Sequence, residues 1–121
     1  MNRLTGRIAG LSILFDLESS NGHRIELQLD TGFTGQIAAD APALTRLGFH
    51  GPVAQTSVEF GDGSMRDLLI YAGSLSWFGR EWDVQAILTD SPDCTLGMGL
   101  LAEAVIHVDM PAGAAYLESD R

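Results

Sequence analysis

The chain holds one cysteine, Cys94, so no disulfide can form within it. A reducing compartment fits that usage. Lysine is absent, and seven arginines stand against sixteen acidic residues, a formal net charge of −9. So acidic a chain, with its arginines scattered, argues against nucleic acid as a partner. No apolar run approaches a membrane span. The apolar stretch Ile8 to Phe15 follows Arg3 and Arg7, yet Asp16 and Glu18 close it without a small-residue cleavage site, so it reads as a strand rather than a leader. His23, His50 and His107 lack ligand spacing, which leaves no metal or other cofactor to expect. The expectation is a soluble, cytoplasmic protein that binds neither nucleic acid nor membrane.

What is present is globular. Hydrophobic residues make up 45% and charged residues 19%, and 121 residues suffice for one hydrophobic core but not two. Residues 1–121 are therefore read as a single domain. Cys94 lies in Asp90-Ser91-Pro92-Asp93-Cys94, where acidic neighbours disfavour a thiolate, so it reads as a packed residue and not a nucleophile.

Taken in order, residues 7–17 form an apolar-rich strand, and Asn21-Gly22 gives a turn whose residues tolerate positive φ. Residues 23–29 alternate polar and apolar, the pattern of a strand with one buried face. That strand delivers Asp30, followed at once by Thr31-Gly32-Phe33-Thr34-Gly35. After a short strand at Gln36-Ile37-Ala38, Asp40 is an N-cap, Pro42 lies in the first turn, and a helix of about two turns ends at Gly48. Residues 53–60 and 65–76 make a long hairpin around Gly61-Asp62-Gly63. Phe78-Gly79-Arg80 turns into a strand over 82–89. Thr95-Leu96-Gly97 leads into a short helix over 98–104, and two closing strands follow around Ile106 and Tyr116. Many short strands, two small helices and no βαβ rhythm make a mostly antiparallel all-β domain.

The strand ending in Asp30-Thr31-Gly32, the hairpin around Gly61-Asp62-Gly63, the Gly97 segment with its helix, and the closing strands occur in an order that resembles the retropepsin-like aspartic proteases. The resemblance covers nearly the whole chain. It implies a closed, barrel-like acid-protease fold and an aspartic peptidase that hydrolyses peptide bonds in a peptide or protein substrate. Asp30 would be the catalytic carboxylate. Thr31 would reach the opposite active-site loop, and the amide of Gly32 would hold the carboxylate. Phe60, Gly61, Asp62 and Gly63 would form a flap over the substrate, and Gly97 would support the Asp30 loop.

Two carboxylates about 3 Å apart cannot both ionise, so one activates water while the other keeps a proton for the carbonyl. The chain carries one Asp-Thr-Gly; Asp62-Gly63-Ser64 has related letters in the wrong order. The pair therefore requires a homodimer that sets Asp30 against its own copy. Two positions depart from the family pattern. Phe33 cannot hydrogen-bond the carboxylate, and Thr95 stands where a bulky apolar residue is usual. They motivate a second reading, a catalytically silent homodimeric peptide- or protein-binding module that keeps the fold. Phe33, Ile37, Phe60, Met65 and Leu88 are candidates for the substrate-binding groove.

Overall fold

The protein is described by a computed structural model over residues 2–59 and 61–119; Phe60 lies outside the described residues. Its elements are β1 (Asn2–Thr5), β2 (Arg7–Ala9), β3 (Ser12–Ser19), β4 (Arg24–Asp30), β5 (Ile37–Ala39), α1 (Ala41–Arg46), β6 (His50–Glu59), β7 (Met65–Trp77), β8 (Arg80–Leu88), β9 (Thr95–Gly97), α2 (Met98–Leu101), β10 (Val105–Asp109) and β11 (Ala114–Ser119).

The polar–apolar alternation in β3 and β4 becomes a two-faced hairpin. Phe15 pairs with Leu27 and Leu17 with Ile25, all four buried, while Asp16 and Glu26 pair on the outer face. The turn runs through Gly22 at φ +86°, and the Asn21 side chain donates to the Arg46 carbonyl at 3.1 Å, tying the turn to the end of α1. One expectation is corrected here. Residues 7–17 are two strands, because Gly10 takes φ +61° and Leu11, 91% exposed, completes a two-residue turn between Ala9 and Ser12. The apolar Leu11 hides that turn in a hydrophobic pattern.

Strand order in the large sheet is β2-β3-β4-β9-β5-β8-β7-β6. An added pairing of β3 with β7 closes the strands from β3 to β7 into a barrel. Two pairs, β4–β9 and β5–β8, run parallel within an otherwise antiparallel sheet. The barrel interior is filled by Phe15, Leu27, Ile37, Leu75, Val84, Ala86 and Leu96. Helix α1 starts where Asp40 accepts the Ala43 N–H at 3.0 Å and stops where Gly48 takes φ +75°. Helix α2 is shorter than the expected 98–104: after Leu101 the Ala104 N–H bonds the Leu101 carbonyl and the chain turns into β10.

A separate three-stranded sheet, β1-β11-β10, joins the N-terminal strand to the two closing strands. Its inner face buries Ala115 and Leu117. On its outer face Arg3 lies 3.9 Å over the Tyr116 ring and 2.8 Å from Glu118, and Tyr116 stacks on His107.

Leu96 is 0% exposed and sits opposite both Leu29 and Ile37. Leu96→Ala is expected to cost about 2–5 kcal/mol, read as a lower urea midpoint with an unchanged m-value.

Candidate functional site

Asp30 is the last residue of β4, and its carboxylate is exposed. The chain turns immediately: the Phe33 N–H donates to the Asp30 carbonyl at 3.2 Å, and the Gly32 N–H donates to Asp30 Oδ1 at 2.9 Å. A backbone donor aimed at one carboxylate oxygen fixes the group's orientation and leaves Oδ2 for other partners. Thr31, beside it, is exposed.

The loop that follows is fastened to β9 and α2. Strand β9 lies between β4 and β5, with Asp30 opposite Gly97 on one side and Leu96 opposite Ile37 on the other. The N–H groups of Gly97, Met98 and Gly99 donate to the carbonyls of Gln36, Phe33 and Gly35 at 2.9, 2.8 and 3.0 Å. Glycine is required at 97 by space. A Cβ there would stand 2.2 Å from the Gly35 carbonyl oxygen and 2.5 Å from the Phe33 ring. At Gly99 a Cβ would fall 2.7 Å from the Thr34 carbonyl oxygen. Phe33 thus has a place: its half-buried ring lies against Gly35 and Gly97.

Above this loop stands the hairpin of β6 and β7. Asp62 holds its tip, accepting from the Ser64 N–H at 2.9 Å and the Ser64 hydroxyl at 2.6 Å. Those bonds, the hydroxyl's foremost, hold the Asp62 carboxyl below the usual carboxylate range. Gly61 and Gly63 have open space around them, and Gly63 takes φ +83°. Lower down, the Ser57 hydroxyl donates to Asp67 Oδ1 at 2.6 Å across the strands.

Between hairpin and loop lies a cavity of about 550 Å³ lined by Asp30, Phe33, Val58, Arg66, Leu68, Leu88 and Thr95, among others. A second cavity of about 620 Å³ lies on the other side of Phe33, Val58 and Ile87, lined by Gly32, Thr34, Gln36, Thr56 and Gln85. Asp30, Thr95 and the hairpin thus share one space, which Phe33 walls off from a more polar neighbour. Among the groove candidates, Leu88 lines the cavity and Met65 is exposed near the hairpin tip. Ile37 is corrected: it is 0% exposed in the barrel and cannot touch a ligand. Arg66 and Ile87 line the cavity although the sequence pattern does not single them out. The strand register is the signal that finds them, since it shows which hairpin residues face inward.

Cys94 lies apart, half-buried. Desolvation, reinforced by Asp40 and Asp93, pushes its thiol pKa up. Among the described residues no group of three His, Cys, Asp or Glu side chains is placed to hold a metal ion, and no helix is long and apolar enough to cross a membrane.

Gly97→Ala is expected to destabilise the fold by about 1–3 kcal/mol by chemical denaturation, because backbone at 35 must move. Cys94 is expected to be alkylated at pH 8 more slowly than a free cysteine peptide. Its raised pKa leaves less thiolate at that pH, and the difference should vanish when the protein is unfolded.

No protein-family model matches the sequence, and neither does any curated protein. Among solved structures, the chain is similar to the crystal structure of a retropepsin-like aspartic protease from Rickettsia conorii. The TM-score is 0.68 at 18% identity, over 97% of this chain and 89% of that one. The likeness is one of fold, and it extends over nearly the full length of both: the mostly-β barrel with two short helices is the fold of a retropepsin-like aspartic protease.

Proposed function

We propose that the chain is an aspartic endopeptidase whose active site is completed by a second copy of itself. One observation carries this reading: an exposed carboxylate, oriented by the Gly32 N–H, sits at the end of β4 in a cavity roofed by a glycine-tipped hairpin. A single Asp-Thr-Gly supplies one acid per chain, so a two-fold dimer brings two Asp30 side chains together. In that pair one Asp30 is ionised and the other protonated.

The steps follow from the pair. The ionised carboxylate takes a proton from water as the water oxygen attacks the peptide carbonyl carbon. The protonated carboxyl gives its proton to the carbonyl oxygen, forming a tetrahedral diol. The first carboxyl then protonates the nitrogen while the second carboxylate takes a proton from one diol hydroxyl; the C–N bond breaks, an acid and an amine leave, and the pair again holds one proton. No covalent link to the enzyme forms. Thr31, exposed beside Asp30, is the residue to bridge the two active-site loops. The hairpin through Gly61, Asp62 and Gly63 closes over the peptide and excludes bulk water. An extended peptide in the groove is held chiefly through its backbone.

Asp30→Asn is expected to lower peptide cleavage by about 10²–10⁴ in kcat while leaving the circular dichroism and the dimer's sedimentation unchanged. Exchanging equal amounts of Asp30→Asn and wild-type subunits should leave about a quarter of the activity, because only wild-type pairs hold both acids; separate sites would leave about half. Cleavage by Asp30→Asn at the wild-type rate would overturn the proposal.

A further inference from the structure

Leu11 is 91% exposed, more than any other large apolar side chain among the described residues. A lone surface leucine is ordinary; the place of this one is not. Strands β3 and β4 pair as far as Leu14 and Gln28. Two residues further along each strand bring Ser12 to the level of Asp30. The Gly10-Leu11 turn between β2 and β3 therefore stands at the barrel rim beside Asp30 and Thr31.

The turn is braced from both sides. Arg7 on β2 reaches Asp16 at 3.0 Å and also pairs with Glu26, which ties β2 to β3 and β4. The Gly6 N–H donates to the Ala115 carbonyl at 2.9 Å and fastens the start of β2 to the three-stranded sheet. Gly10, at φ +61°, makes the reversal, so the turn has its glycine already and sets no demand for leucine at the next position. The core makes none either, since the side chain lies outside it. An apolar group is thus held out at the rim by backbone that is fixed.

The homodimer of the peptidase reading passes a two-fold axis between two Asp30 carboxylates about 3 Å apart. Neighbouring strands are about 4.8 Å apart, which places the turn beside Asp30 on the order of 10 Å from that axis. A stable interface covers about 800 Å² of each partner, a disc of about 16 Å radius, and in a two-fold dimer it surrounds the axis. Leu11 falls within it. Resting on that reading, we infer that Leu11 is an anchor of the homodimer, buried against the second copy when the two carboxylates meet. The symmetry uses it twice in each dimer. The occupant is a second copy because any other partner seated at this rim would take the ground the second Asp30 needs. Leu11 then acts on catalysis through association alone, setting how much dimer forms and not how fast a formed dimer turns over.

The test uses the full-length protein. Leu11→Ala is expected to weaken the dimer about a hundredfold by sedimentation equilibrium, because two buried leucines are lost per dimer, and Leu11→Asp to leave a monomer at micromolar concentration. For Leu11→Ala the curve of specific activity against protein concentration should shift by the same factor and reach the wild-type plateau. Val53→Asp, at another exposed apolar position but on β6 at the far edge of the sheet, should change neither. Burial is read directly with Leu11→Cys in a Cys94→Ser background, where maleimide labelling should slow about tenfold as monomer becomes dimer. Leu11 is exposed in the subunit, so its variants are expected to keep the wild-type circular dichroism. A Leu11→Asp protein that dimerises like the wild type, or a thiol at position 11 labelled equally fast in monomer and dimer, would overturn the assignment; cleavage by that same dimer would leave the peptidase reading standing alone. Leu11-dependent dimerisation of a wild-type protein that never cleaves would retain the anchor and remove catalysis. A wild-type protein that stays monomeric would overturn both.

Discussion

The close approach of Gly97 to the Gly35 carbonyl is the constraint on which the site depends. Strand β9 is three residues long, yet it separates β4 from β5 and so holds the loop between them at both ends. Any side chain at 97 would push that loop away. With glycine there, three consecutive N–H groups reach three loop carbonyls, and Asp30 is delivered at the rim of the barrel with its backbone fixed. The carboxylate can remain exposed because its support is peptide backbone behind it, not side chains packed over it.

The hairpin above obeys a different logic. On one face the Ser57 hydroxyl engages Asp67 across the strands, and on the other Thr56, Val58 and Leu68 are half-buried. The tip is held by Asp62 and Ser64. Because those bonds lower the Asp62 pKa, the carboxylate stays ionised, and the turn it organises persists, to a lower pH than an ordinary aspartate would allow. The tip would lose that support only as pH falls through this lowered value.

Much of this was legible because local chemistry agreed with global structure. Asn21-Gly22, the Asp40 cap, the alternation in β4 and the Asp62 turn each fix their segment within a few neighbouring residues. Gly10-Leu11 was not legible, because an apolar residue occupies the turn. The end of α2 was missed because the chain leaves the helix to reach β10, a tertiary demand. Gly97 could be marked as a helix-entry glycine, but its reason, the carbonyl oxygen of Gly35 far upstream in the chain, exists only in three dimensions. Ile37 makes the same point. Apolar character pointed Ile37 toward a groove when the parallel pairing with Ala86 buries it.

Phe33 joins these themes. Directly after Asp-Thr-Gly it cannot donate or accept a hydrogen bond with the carboxylate, which left its role open. In the fold its ring fills the space that glycines at 35 and 97 leave, so the loop gains by packing what a hydroxyl would have given by hydrogen bonding. The same ring, with Val58 and Ile87, separates an Asp30 cavity containing apolar side chains and an arginine from a neighbour rich in amide and hydroxyl groups. Bulk at 33 and its absence at 35 and 97 are therefore one coupled choice. A larger residue at either glycine would displace the ring, and the ring's displacement would merge two compartments of unlike polarity. Support of the Asp30 loop and the shape of the space beside it are set by the same three residues.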